Sequence, residues 1–231
     1  MMDKDSNTIY GFIIIILLVY IYFIQFHKWD YQQEHLDSMT NLNKFKTGDI
    51  ICFKAYNNFN SIVLGNYYGH IGIVYVDTDT QIPMIFEANG IEKIPLLPHH
   101  NKNGVFYTEL KSRIQKYKGR VFVKTLNKNV NLQLEYEFKN FINFALENMH
   151  YDYNVFSSWV NKFLGLSHCG NGTNCGELAF LSIIKLGILD EKKYYSAPKF
   201  HHVSDVSKLQ LCDNGYFYYK PVEIIDYPFD K

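Results

Sequence analysis

A histidine that opens an apolar, β-branched stretch, His70-Ile71-Gly72-Ile73-Val74-Tyr75-Val76, lies about a hundred residues ahead of a cysteine that opens a second apolar stretch, Cys175-Gly176-Glu177-Leu178-Ala179-Phe180. The first reads as a strand and the second as a helix, with Asn174 as its N-cap and Gly187 as its carboxyl-terminal cap. A thiol becomes a nucleophile when a base can take its proton, and the positive end of a helix favours thiolate. The pair therefore points to a cysteine hydrolase site with its base on a strand and its nucleophile at a helix start. Such a site constrains the fold to one in which a sheet and a helix terminus meet. Taken singly, each residue has an ordinary structural role, since a cysteine in an apolar helix is usually a small buried hydrophobe.

Around these two residues the spacing supplies further candidates. Asp77-Thr78-Asp79-Thr80 reads as a turn between strands over 70–76 and 84–88, and a hairpin centred between Thr78 and Asp79 sets Glu87 directly opposite His70. On one face, about 5 Å apart at Cβ, the carboxylate can hold one imidazole nitrogen while the other faces the thiol. A slip of two residues leaves them diagonal neighbours; a slip of one separates their faces. The backbone N–H groups of Cys175 and Gly176 are candidates to receive an oxyanion, and Gly176 leaves room for a substrate carbonyl.

Composition removes other classes. Lysine plus arginine equals aspartate plus glutamate at 23 each, so no basic field exists for a nucleic-acid backbone and nucleic acid is not an expected partner. Arg113 and Arg120 are the two arginines, and the abundance of Lys, Asn, Ile, Tyr and Phe suggests an AT-rich coding bias. Cys52, Cys169, Cys175 and Cys212 are irregularly spaced and read as reduced thiols. His168 and Cys169 have no CxxC or HxxxH partner, so neither a metal nor a cofactor is expected. The sequon Asn171-Gly172-Thr173 is attributed to chance.

Residues 9–26 carry no charge and are long enough to cross a hydrocarbon layer of about 30 Å as a helix. A membrane anchor is expected rather than a cleaved signal, because a cationic leader and a small-residue cleavage site are both missing. The organisation read from the chain is an anchor over 1–26, a polar tether over 27–44 and one α+β domain over 45–231. Within that domain, strands are expected at 50–53, 70–76, 84–88 and 121–124. Helices are expected at 132–149, 156–164 and 175–186, with residues 216–219 as a last strand.

Five segments together resemble a known superfamily: Gly48-Asp49-Ile50-Ile51, Gly69-His70-Ile71-Gly72-Ile73-Val74, Phe86-Glu87-Ala88, Tyr151-Asp152 and Cys175-Gly176-Glu177-Leu178-Ala179. In this order they are similar to the circularly permuted papain-like (NlpC-type) cysteine peptidases and amidases, within them the YiiX-like group that includes poxviral and large-DNA-virus members. In unpermuted papain-type enzymes the cysteine comes first. Gly176 stands where serine is common in the group, and the segment after Leu189 has no counterpart. The resemblance implies an antiparallel sheet packed against helices, with Cys175 as nucleophile, His70 as general base and Glu87 as the residue orienting the imidazole. It further implies peptide, isopeptide or fatty-acyl substrates. The expectation is a single-pass membrane-anchored thiol hydrolase acting on a peptide or acyl-lipid, its catalytic domain cytosolic or virion-associated. The alternative is a noncatalytic structural, adaptor or lipid-binding protein of a viral membrane that keeps the hydrolase fold.

Overall fold

The computed structural model describes residues 17–18, 45–55, 68–89, 104–117, 119–151, 172–192 and 206–224. Its centre is a six-stranded sheet in which every neighbouring pair is antiparallel. The strands are β1 (Ile50–Ala55), β2 (His70–Val76), β3 (Pro83–Ala88), β4 (Val105–Glu109), β5 (Gly119–Lys124) and β8 (Val222–Glu223), in the order β4-β3-β2-β1-β5-β8. Three helices complete an α+β arrangement among the described residues: α1 (Leu110–Lys116), α2 (Leu132–Asn148) and α3 (Cys175–Lys185). A short parallel pair, β6 (His150–Tyr151) and β7 (Gly172–Thr173), stands apart from the main sheet.

Both faces of the sheet are covered. On one, Ile50, Ile71, Ile73, Tyr75 and Phe86 pack against Phe138, Ile142 and Ala145 of α2 and Leu178, Ala179 and Ile183 of α3. On the other, Phe53, Val74, Ile85 and Val121 pack against Leu110 and Ile114 of α1. Strands buried on two faces read as continuous apolar runs rather than as alternation, which is the pattern of β1 and β2.

The strands expected at 50–53, 70–76, 84–88 and 121–124 are present, three of them extended by one or two residues. Neither β4 nor α1 was expected from sequence, nor were the two-residue strands β6, β7 and β8. The buried stripe of α1 is Leu110, Arg113 and Ile114, so one of its three inward positions carries a charge and the apolar periodicity of a helix is hidden. The strand expected at 216–219 is a correction: there the chain makes only isolated bridges, Leu126 with Tyr218 and Leu211 with Phe217, and the sheet is closed instead by β8. The tight turn at Asn214 and Gly215, with φ of 55° and 71°, folds this segment back on itself. Tyr218 then turns inward to donate its hydroxyl to the Gly48 carbonyl at 2.8 Å.

Among the described residues no helix is long and apolar enough to cross a membrane. The expected anchor, apart from Leu17 and Leu18, the tether and the helix expected at 156–164 lie outside the described residues.

The Gly48-Asp49 turn feeding β1 is structural. Gly48 adopts φ 95°, where a side chain is strained. Asp49, 1% exposed, accepts from Leu126 N–H at 2.8 Å and Lys46 N–H at 2.9 Å, so one side chain ties the entry of β1 to the exit of β5. Burial pushes its carboxyl up to about 6 even though both N–H groups and the Lys46 charge favour the ionised form. Asp49→Ala leaves these donors unpaired and is expected to lower stability by about 3 kcal/mol in urea unfolding. A loss under about 1 kcal/mol would contradict this role.

Candidate active site

Cys175 is the first residue of α3, as the capping pattern predicts. Asn174 takes an extended conformation and its side-chain oxygen accepts from Glu177 N–H at 3.0 Å, while its carbonyl accepts from Leu178 N–H at 2.9 Å. The cap thus uses the third and fourth donors of the helix, and the N–H groups of Cys175 and Gly176 are the first-turn donors it leaves. The helix stays seated because Leu178, Ala179 and Ile183 are buried against the sheet. It ends at Gly187, whose φ of 66° suits glycine. Cys175 itself is 9% exposed, at the rim of that core.

His70 opens β2, and its Nε2 lies 2.6 Å from Glu87 Oε2. The pairing comes from a register that differs by two residues from the expected one. Ile73 faces Phe86 and Val76 faces Pro83, which brings Gly72 opposite Glu87 and makes His70 its diagonal neighbour. The cause is the loop from Asp77 to Ile82. Asp77 Oδ1 accepts from the N–H groups of Asp79 and Thr80, and Gln81 takes φ 59°, so the hairpin turns one position later than a two-residue turn would. Gly72 makes the diagonal contact possible: a Cβ there would stand 2.7 Å from Ile85 Cδ1 and 3.2 Å from Glu87 Cβ. Without it the carboxylate can lean along the strand toward the imidazole.

Burial by itself would lower the His70 pKa. The charge and hydrogen bond of the Cys175 thiol, followed by those of Glu87, outweigh burial and raise it to about 9. Since Nε2 is occupied by Glu87, Nδ1 is the nitrogen left to meet the sulfur. The two residues approach from different sides. His70, Gly72 and Val74 share the face covered by α1, with the imidazole 5.4 Å from the Phe53 ring, whereas Cys175 belongs to the core on the opposite face. They can meet because each begins its element, His70 at the end of the sheet and Cys175 at the start of a helix packed on β2 and β3.

One member of the cluster is absent from the sequence reading. Arg113 of α1 donates Nε–H to Glu87 Oε1 at 2.6 Å, so the two carboxylate oxygens are divided between an imidazole and a guanidinium. Burial would raise the Glu87 pKa, but the Arg113 charge and then the His70 hydrogen bond outweigh it and hold the carboxyl below its ordinary range. A signal for Arg113 did exist, since it is one of two arginines in a lysine-rich chain.

Cys52, Cys175 and Cys212 are free thiols. Among the described residues no three histidine, cysteine or carboxylate side chains group as metal ligands; His168, Cys169 and Asp152 lie outside them. Tyr151 lies in β6, its Cβ against Gly104.

Fold and site together define an antiparallel α+β domain carrying a cysteine, histidine and glutamate cluster at one end of its sheet. No protein-family model matches the chain. No curated protein matches it. A solved structure, that of the metalloprotein YiiX from Escherichia coli O157:H7, is similar over 60% of this chain, with 21% identity and a TM-score of 0.41. The match covers 64% of that chain, under two thirds of its length.

Proposed function

We propose that the protein is a thiol hydrolase of the permuted papain-like type, cleaving amide or ester bonds through an acyl-enzyme on Cys175. The observation that carries this is the imidazole of His70, held through Nε2 by Glu87 at 2.6 Å, with the Cys175 thiol as its other partner. An imidazole with a pKa of about 9 is protonated at neutral pH, so His70 carries the proton that a leaving group needs. The Cys175 sulfur attacks the carbonyl carbon, and the oxyanion is received by the N–H groups of Cys175 and Gly176. His70 gives its proton to the leaving amine or alcohol, and the acyl group remains on sulfur. Neutral His70 then takes a proton from water, the hydroxide adds to the acyl carbon, and the thiolate departs as the acid forms. Glu87 keeps the ring in plane throughout. In this reading residues 9–26 hold the domain at a membrane with the thiols in a reducing compartment, and the substrates are peptides or acyl-lipids near the bilayer.

Thiol reactivity tests the reading before any substrate is known. Burial pushes Cys52 up to about 12 and Cys212 up to about 11, so both are poor nucleophiles at neutral pH. Iodoacetamide at pH 7, followed by peptide mass spectrometry, is expected to alkylate Cys175 at least about tenfold faster than either. His70→Ala should remove most of that advantage. Equal labelling of the three thiols, indifferent to His70, would refute an activated nucleophile.

A further inference from the structure

The Glu87 side chain is fully buried and that of Arg113 is 2% exposed. A carboxylate cut off from water neutralises itself unless a cation compensates it. A neutral carboxyl can still hydrogen-bond an imidazole, but it does not attract an imidazolium. Arg113 supplies the missing charge, and it does so at Oε1, which leaves Oε2 for His70. Two donors on two oxygens also stop the carboxylate from rotating.

The guanidinium is itself held. Its central carbon stands 4.6 Å from the centre of the Phe53 ring and 5.4 Å from that of Tyr117, and these rings meet edge to face at 4.9 Å. Phe53 also flanks the imidazole, so one ring lines both the cation and the base. A lysine ammonium offers neither the planar stack nor the rigid fork. Lysine is this chain's usual cation, with two arginines among 23 cationic residues, so an arginine at this position answers a geometric need.

We propose that Arg113 is a positioning residue of the site: acting through Glu87 on the face of the sheet opposite the Cys175 helix, it fixes the orientation and charge of the imidazole that faces Cys175. The proposal rests on the thiol-hydrolase reading. The charged and titratable groups involved are Cys175 from α3, Glu87 from β3 and Arg113 from α1, with Tyr117 at the end of α1 stacked on the guanidinium. Arg113 with Glu87 forms a neutral pair, so the buried carboxylate has its counter-charge beside it.

The test uses the full-length protein in detergent and follows alkylation of the Cys175 peptide by anionic iodoacetate and by neutral iodoacetamide across pH. The ratio of the two rates reports the imidazolium, which attracts the anionic reagent. In the wild type the ratio should fall as pH rises through about 9. In Arg113→Gln, Glu87 neutralises and the midpoint should drop by about one pH unit or more. Arg113→Lys keeps a charge but not the stacked fork, and its midpoint should lie between the two. It is also the gentler change, so it decides the matter alone if Arg113→Gln does not fold. A wild-type midpoint in either folded variant overturns the proposal and leaves Arg113 a purely structural ion pair. If the wild type and His70→Ala alkylate Cys175 alike, with no midpoint, the hydrolase reading itself fails, which is a different result.

Discussion

Cys175→Ala is expected to lower hydrolysis by about 10⁴-fold or more while the domain stays folded. The thiol is the electron-pair donor that forms the acyl-enzyme, and water bound in its place lacks both its nucleophilicity and its position. Stability should change little, by about 1 kcal/mol, because a single sulfur is removed from a residue at the rim of the core. His70→Ala should lose activity to a similar degree. The double variant should be no worse than either, since residues that act as a unit are not additive. Rates on a panel of peptide amides and acyl esters, with thermal unfolding of each variant, check this. Activity above a tenth of wild type in Cys175→Ala, or losses that multiply in the double variant, would sink the mechanism. The pH dependence has a definite sign as well. His70 must carry a proton to give to the leaving group, so acylation should fall as pH rises through about 9.

Glu87→Ala is expected to be the most destabilising single change, at about 3–5 kcal/mol, because it leaves the Arg113 charge buried without its carboxylate. For a chain of this size the melting temperature should fall by roughly 10 °C. Replacing both partners, as in Glu87→Leu with Arg113→Leu, should restore much of that stability without restoring activity, because the isolated charge is gone while the imidazole remains unheld. The pair also has an acid signature. Glu87 titrates below its ordinary value of 4.5 when folded, so its contribution is complete above about 4.5 and is lost as pH falls through the lower folded-state value. Glu87→Leu with Arg113→Leu should lack that acid-side loss. Chemical denaturation across pH measures both effects. A cost below about 1 kcal/mol for Glu87→Ala would show that Arg113 finds adequate solvation elsewhere.

Local chemistry made part of this legible from sequence. Asn174 before Cys175, and Gly187 after the last apolar residue of α3, mark the helix ends because capping is decided within one turn. The β-branched run after His70 marks a strand for the same reason. The diagonal relation of His70 and Glu87 also lay within reach, since alternation keeps residues of one face together through a slip of two. The register itself did not, because it depends on Asp77 gathering the N–H groups of Asp79 and Thr80 and on Gln81 accepting a positive φ. Helix α1 was hidden by the charge on its inward face.

From its sequence alone this chain determined which residues begin a strand and a helix, and therefore which imidazole and which thiol are presented at element ends. Tertiary structure decided that these ends meet and that Glu87 lies between His70 and Arg113, a cation 26 residues further along the chain on the helix that covers the same face of the sheet. The physical reason is range. Caps and strand propensity act over a few residues, whereas the pairing of a buried charge is settled only when the sheet closes and water has left.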